Sequence, residues 1–372
     1  MLRRLSFLFL TILIGPTQAQ IASPSIFSEV KSLNPAVVGL RKRGQITALG
    51  SFDKLERTQD HSPILGDGAK VVSETTMTRY SVFRGGKSKG RGITTEIFVE
   101  QVNGEVVDKL TSDIETTTIN LDASTNTALI QIGLGRFFGI GLLYATYERS
   151  QAYNFSFGGS TYGSKQDTDT TFKAIKPGFR FGKTFQFGFF LEYLIQEGTS
   201  KSTFTVDGRD SSASDTSSFS YKSPIAGGAV ALYLKKTLIE LSYERIFQDD
   251  AQKSTSGGQP VEQKVPTRIG LIIERRFGRL ALGYKGTQIS GVFTDIQNIL
   301  AAQLLFPNSL NATRLEHSFN FSYGSSKGFS FGGSAFLSEI DSEEPSVLFG
   351  DEAKLTTTTK SSGFSVKLGF TF

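Results

Sequence analysis

The chain of 372 residues has no cysteine, no tryptophan, two methionines and two histidines. Without cysteine it can form neither disulfides nor thiolate metal sites. His61 and His317 are the only imidazoles available for acid–base chemistry. His317 is followed by Ser318, but neighbours on a strand point to opposite faces, so the two cannot act on one substrate. Asp60 precedes His61 with no companion acidic pair. No enzyme is expected. Charge of one sign is also scarce: 40 Lys+Arg stand against 35 Asp+Glu, a formal net charge of +5, and nothing calls for nucleic acid or a polyanionic partner. Beyond the first twenty residues no apolar run approaches the length of a membrane-spanning helix.

Glycine (39) and phenylalanine (32) are plentiful, and the mean hydropathy is −0.13. The last ten residues place Phe364, Val366, Leu368, Phe370 and Phe372 on one face and Ser365, Lys367, Gly369 and Thr371 on the other. In a bilayer every backbone N–H and C=O needs an internal partner, so a strand with one lipid face exists only within a closed barrel. The segment resembles the closing strand of a bacterial outer-membrane barrel. Its terminal Phe resembles the tag read by the outer-membrane assembly machinery. At the other end Arg3 and Arg4 precede the apolar run 5–14, and Thr17-Gln18-Ala19 offers small residues for cleavage. Residues 1–19 read as a secretory signal, whose removal lowers the formal charge from +5 to +3.

Counting back from Phe372, strands fall near 356–372, 329–341, 313–325, 280–292, 264–277, 238–249, 218–234, 186–198, 168–182, 138–152, 115–136, 91–101, 74–86 and 45–53. That makes about fourteen, an even number as single-chain bacterial barrels require. Tight links such as 135–139, 181–185 and 276–279 alternate with polar segments 155–169, 198–218, 248–264, 294–313 and 341–355, read as short periplasmic turns and long extracellular loops. The expected fold is all-β: a transmembrane antiparallel β-barrel over 45–372, preceded by a hatch segment, 20–44, inside the lumen.

Alternation sorts the faces. Ala128, Ile130, Ile132, Leu134, Phe185, Phe187, Phe189, Leu191, Tyr193, Ile269, Leu271 and Ile273 are assigned to lipid. The opposite register carries Glu192, Glu240, Glu244, Arg268, Glu274, Lys285, Glu316 and Lys367, a lumen charged with both signs. Phe137, Phe138, Phe179, Phe181, Phe185, Phe187, Phe277, Phe329 and Phe331 cluster at the tight turns and are expected to form a periplasmic aromatic girdle. The acidic group Glu339, Asp341, Glu343, Glu344, Asp351 and Glu352 is read as a solvated loop, because no calcium-loop spacing is present. The basic turn Lys87, Lys89 and Arg91 is read the same way.

Two segments bear on function. Ser32-Leu33-Asn34-Pro35-Ala36 leads within about ten residues into the first strand; Asn before Pro favours a turn, and Pro fixes the backbone where the chain passes from lumen to wall. An Asn-Pro-Ala segment placed so, ahead of a barrel of this strand count, resembles the long-chain fatty acid transport (FadL) family. The segment ahead of it, 20–31, is shorter than the family's usual hatch. The resemblance implies passive transport of hydrophobic small molecules such as long-chain fatty acids, without cofactor or energy source. It also implies a monomer in outer-membrane lipid, a hatch controlled by Asn34, Pro35 and Ala36, and sideways exit of the ligand into the bilayer. The second segment is 293–306. Asp295 caps a short helix that Pro307 follows, and Ile296, Ile299, Leu300 and Leu304 share one side, with Phe293 beside them. An apolar helix in an outward loop forms a lid or a lip that captures a greasy ligand. Two other readings stay open: a non-transporting scaffold or secretion accessory, and a polar diffusion channel favoured by the charged lumen.

Overall fold

The computed structural model describes residues 34–40, 44–60, 70–85, 93–111, 116–134, 137–157, 160–206, 209–210, 215–247, 255–256, 259–260, 267–290, 313–324, 328–348 and 351–372. Residues 1–19, read as a leader from the sequence, and most of 20–44 lie outside them. Fourteen antiparallel strands form one closed wall. In chain order they are β1 (Gln45–Asp60), β2 (Lys70–Gly85), β3 (Ile93–Thr111), β4 (Thr116–Leu134), β5 (Phe138–Phe157), β6 (Ser160–Gly182) and β7 (Phe185–Val206). They continue as β8 (Asp215–Leu234), β9 (Thr237–Ile246), β10 (Thr267–Phe277), β11 (Leu280–Ser290), β12 (Thr313–Gly324), β13 (Gly328–Leu348) and β14 (Asp351–Thr371). The pair Arg209–Asp210 adds a short extra strand to β7, and Thr255–Ser256 pairs with Gln259–Pro260. Each wall strand pairs with its sequence neighbour, and β14 returns to β1, from Gln45 opposite Thr371 to Gln59 opposite Thr357. Closure removes the sheet edge, which a bilayer would not tolerate.

Every strand placed from the alternation is present, including 116–134 as a single strand. The loops differ. Segments 155–169 and 341–355 are mostly paired backbone: β5 and β6 run together out to Phe157 and Ser160, and β13 and β14 out to Leu348 and Asp351. Segment 198–218 is likewise largely ladder, between β7 and β8. The acidic residues of 339–352 therefore sit on two paired strands. Runs of Ser, Thr and Asp are as compatible with a strand solvated on both faces as with a loop, and Thr favours the strand. Segments 248–254, 261–266 and 291–312 lie outside the described residues. At the other end the described tight turns, 181–185, 234–237 and 276–279, fall where expected, while 86–92, 135–136 and 325–327 lie outside the described residues. Gly182, Gly278 and Gly328 take φ values of 91°, 63° and 94° there, and Lys235 alone among described side-chain-bearing residues turns left-handed, at 48°.

The faces follow the period of two. Ile130, Leu134, Phe185, Phe187, Phe189, Leu191, Tyr193, Ile269 and Ile273 are exposed outward, while Glu192, Glu240, Glu244, Arg268, Glu274, Lys285, Glu316 and Lys367 are buried inside. An Arg or Lys on the lipid face near mid-membrane costs about 2–4 kcal/mol, which excludes the inverted arrangement. Rings collect at the tight-turn end, with Phe138 and Phe179 centroids 5.0 Å apart, Phe185 and Phe187 4.8 Å and Phe329 and Phe370 5.0 Å. At the far edge of the apolar band the outer face turns ionic: Lys54 reaches Glu56 at 2.8 Å and Glu74 at 3.9 Å, Lys173 meets Glu197 at 2.9 Å, and Lys360 meets Glu339 at 3.5 Å. The band between these borders has the greasy outside and aromatic girdle of a membrane barrel.

Candidate functional site in the barrel lumen

The inward register carries charged and apolar side chains on the same strands, Arg79 between Met77 and Phe83 on β2 and Glu192 between Phe190 and Leu194 on β7. Its opposite-sign pairs are termed the charged ribbon and the grouping around Phe190 the apolar ribbon. In the charged ribbon the charges pair with opposite sign, two of the pairs across neighbouring strands and one along a strand. Arg268 on β10 meets Glu244 on β9 at 3.2 Å, Arg314 meets Glu316 along β12 at 3.1 Å, and Arg79 on β2 faces Glu100 on β3 at 3.6 Å. Arg314 also donates from Nε to Ser338 Oγ at 2.9 Å. Asp53 stands in the combined field of Arg79, Glu100, Arg314 and Glu316. Its carboxylate and the Phe336 ring close over Gly363, where a Cβ would overlap both. Buried charges are tolerable only when paired, so these pairs brace the inner wall and cancel their own charges.

The apolar ribbon lies on β6 to β9, with Ile289 of β11 joining it. Phe172, Phe190 and Leu194 are buried there, and Phe190 joins Ile225, Ala229, Ala231, Leu238, Ile246 and Ile289 in one cluster. Sequence reasoning assigned Phe185, Phe187 and Phe189 correctly and passed over Phe190. The signal was available, because Phe190 shares the register of Glu192 and so must point inward.

Asn34-Pro35-Ala36 docks on the inner wall. Pro35–Leu40 is a 3-10 helix, with Pro at its first position, where the missing N–H costs nothing. The Asn34 side chain accepts from the Ala36 amide at 3.0 Å, and its carbonyl accepts from the Val37 amide at 3.0 Å. Its amide nitrogen donates to the Phe179 carbonyl of β6 at 2.7 Å. The wall makes room with inward glycines. A Cβ on Gly139 would strike the Pro35 carbonyl, one on Gly178 would strike the Asn34 side chain and come within 2.8 Å of Pro35 Cδ, and one on Gly141 would lie 3.3 Å from Pro35 Cγ. Asn34, Pro35, Ala36, Val37 and Val38 are all buried. Beside them, Lys176 pairs with Glu192 across β6 and β7, its ammonium 4.6 Å from the centre of the Phe190 ring.

Of the residues singled out from sequence, Asn34, Pro35 and Ala36 thus lie together against β5 and β6. Phe293, Ile296, Ile299, Leu300 and Leu304 lie outside the described residues. His317 is on the outer face, its Nδ1 2.7 Å from the Tyr284 hydroxyl, while Ser318 is buried inside, so the two do not meet. Among the described residues no group of three His, Asp or Glu side chains is placed to hold a metal. Two grooves, of about 760 and 620 Å³, lie above the apolar band where β2 to β8 extend beyond it. They share Glu148 and Asp169 and are otherwise lined largely by Thr, Ser and charged side chains, a lining suited to water and polar headgroups and not to a greasy ligand.

Solved barrels share this architecture. A Pseudomonas aeruginosa FadL homologue is similar at a TM-score of 0.60 and 12% identity, over 91% of this chain and 92% of that one. The deltaS2 mutant of the monoaromatic hydrocarbon channel TodX is similar at 0.64 and 9%, over 95% and 96%. The P. putida toluene transporter TodX is similar at 0.57 and 10%, over 91% and 93%. At such identities the likeness is one of fold. No protein-family profile matches the chain, and no curated protein matches it by sequence.

Proposed function

We propose that this barrel resides in a bacterial outer membrane and passively conducts hydrophobic small molecules, long-chain fatty acids among them. The observation that carries the reading is the seating of Asn34-Pro35-Ala36 on the glycines of β5 and β6, next to the apolar ribbon around Phe190. A polar plug segment held by a few specific bonds beside an apolar lining has the parts of a ligand path with a removable stop. In this reading residues 20–44 are the hatch, 1–19 the cleaved leader, and the barrel works as a monomer delivered by the assembly machinery. Phe293, Ile296, Ile299, Leu300 and Leu304 form the capturing lip at the outer mouth, and the ligand passes the hatch and leaves sideways. The fold likeness to barrels described as a FadL homologue and as hydrocarbon channels supports the same class of cargo.

The charged ribbon favours a second reading, a polar diffusion channel. Its charges are engaged with one another in opposite-sign pairs, which supports a bracing role over an ion path. The deciding experiment is binding of a fluorescent long-chain fatty acid to the refolded barrel, with planar-bilayer conductance measured on the same preparation. Saturable binding with little current is the expected result. Steady current without binding would replace this reading with the polar channel, and neither signal would favour a scaffold.

A further inference from the structure

Eight acids and seven bases are buried among the described residues, so the inner wall carries one acid in excess. The bases are all engaged: Arg79, Lys176, Arg268 and Arg314 form ion pairs, Arg180 donates to Gln186 at 2.6 Å, and Lys285 and Lys367 have partners as well. Asp53 is the acid left over. It is 1% exposed, and neither of its oxygens accepts a hydrogen bond. The two arginines in whose field it stands, Arg79 and Arg314, are held by Glu100 at 3.6 Å and by Glu316 at 3.1 Å. A carboxylate buried without a partner is costly, and this wall matches its other buried charges.

The surroundings of Asp53 are polar along the strands and apolar across them. Ser51 on β1 and Ser361 on β14 are buried, with hydroxyls that also lack partners. Gly363 pairs with Asp53 on one side and with Phe336 on the other, and a Cβ there would overlap both the Asp53 carboxylate and the edge of the Phe336 ring. Met77, the ladder partner of Asp53 on β2, is buried beside it. The same lumen holds a completed version of this arrangement. Glu192 and Phe190 share one face of β7, and the Lys176 ammonium pairs with the carboxylate while lying 4.6 Å from the ring centre. At Asp53 and Phe336 the carboxylate and the ring converge, and among the described residues no lysine or arginine pairs with that carboxylate.

Taking the transport reading as its basis, we propose that Asp53 and Phe336 form a binding site for the ammonium end of an apolar primary amine, which adds lipophilic amines to the cargo of the barrel. The ligand's ammonium takes the part that Lys176 plays at Glu192. It supplies the opposite charge, donates to the carboxylate and to the Ser51 and Ser361 hydroxyls, and lies against the ring, where removal from water strengthens the attraction. The hydrocarbon body packs on Phe336 and Met77. One carboxylate and two hydroxyls do not suit a hard divalent cation, which takes about six or more oxygen ligands. A carboxylate-ended molecule is repelled by Asp53 and is held elsewhere in the lumen. Lys54, next to Asp53, belongs to the ionic border of the outer face, which puts the site near the outer end of the lumen.

The test is isothermal titration of the refolded full-length barrel with phenethylamine. Phenethyl alcohol and hydrocinnamate serve as analogues that keep the ring and replace the ammonium by a neutral hydroxyl and by a carboxylate. Binding of the fluorescent fatty acid is measured on the same preparations, and a gel-shift assay shows which variants are folded. Phenethylamine should bind saturably and roughly tenfold or more tighter than either analogue, and Asp53→Asn should remove that advantage. Gly363→Ala keeps the charge but drives carboxylate and ring apart, so it should weaken the amine several-fold; it decides the matter alone if Asp53→Asn does not assemble. Glu274→Gln removes a buried negative charge elsewhere in the lumen and should leave amine affinity unchanged. Equal affinity for the three compounds, full amine binding by Asp53→Asn or Gly363→Ala, or an equal loss in Glu274→Gln would overturn the site. Fatty acid binding without amine binding would overturn it too, with transport left standing. If the wild-type barrel binds neither, the transport reading falls and the site with it.

Discussion

The side-chain amide of Asn34 donates to the main-chain carbonyl of Phe179, 2.7 Å away and 145 residues along the chain. That bond ties the segment ahead of the first strand to the middle of the wall, and the Asn34 side chain also accepts from the Ala36 amide. Asn34→Ala removes both. At about 0.5–1.5 kcal/mol for each such bond, the dock should weaken by about 1–3 kcal/mol. Hydrogen exchange at Ala36–Val38 should accelerate and bilayer recordings should show more frequent openings. An unchanged exchange rate there would mean that the glycine fit alone seats the segment.

Gly178→Ala tests the fit from the wall side. In most strands this change is neutral or stabilising, since glycine weakens a strand interior. Here the new methyl would collide with the Asn34 side chain. The barrel should refold with an unchanged thermal midpoint on a gel-shift assay, while conductance rises as in Asn34→Ala. A closed, silent Gly178→Ala barrel would show that the segment tolerates displacement.

The Glu244–Arg268 pair predicts an asymmetry between single and double substitution. Arg268→Met leaves a buried carboxylate without its partner and should cost about 3–5 kcal/mol, whereas Arg268→Met with Glu244→Gln should recover most of that. Denaturant midpoints in detergent measure both. Equal losses would make the side-chain volume at 268, and not the charge, the important quantity.

Asp167 lies on the part of β6 that rises above the apolar band. Ser150 Oγ donates to it at 2.7 Å and Lys165 Nζ at 3.0 Å, and these hold its carboxyl below the ordinary carboxylate range, the Ser150 hydrogen bond being the larger cause. A depressed folded-state value stabilises the β5–β6 extension fully above the unfolded value, near 3.9, and that contribution is lost as pH falls through the folded value. Proteolysis of the 150–167 region should therefore rise with acidification in the wild type and be flat across the same interval in Asp167→Asn. Parallel curves would show that other groups carry the acid response.

Leu300→Asp addresses the proposed lip. It places a charge on the apolar side of the 293–306 segment, so affinity for a fluorescent fatty acid should fall at least several-fold, since burying an unpaired carboxylate is costly. The barrel should still assemble. Unchanged affinity would remove this segment from the capture site.

Strand number, the identity of the lipid face and the charged register inside were legible in the sequence. Each depends on a period of two that runs within one strand and is enforced locally by the membrane outside and by the cost of exposing charge to it. The Asn-Pro turn was legible because proline fixes its own backbone and restricts the residue before it. The height of the wall was not. Alternating Ser, Thr and Asp look alike in a loop and in a strand with water on both sides, and only pairing between β5 and β6, or between β13 and β14, decides which they become. The inward Phe190 was hidden by a run of outward aromatic neighbours. The glycine slot joins residues more than a hundred positions apart, so no local pattern announces it. Closure also decided which proline interrupts the wall: Pro224 and Pro345 lie in continuous ladders, while the β6–β7 ladder skips Lys176 and Pro177 beside the docked Asn34-Pro35-Ala36. Local alternation tells each residue which way to face; which residues it then meets is set only when fourteen strands have closed on one another.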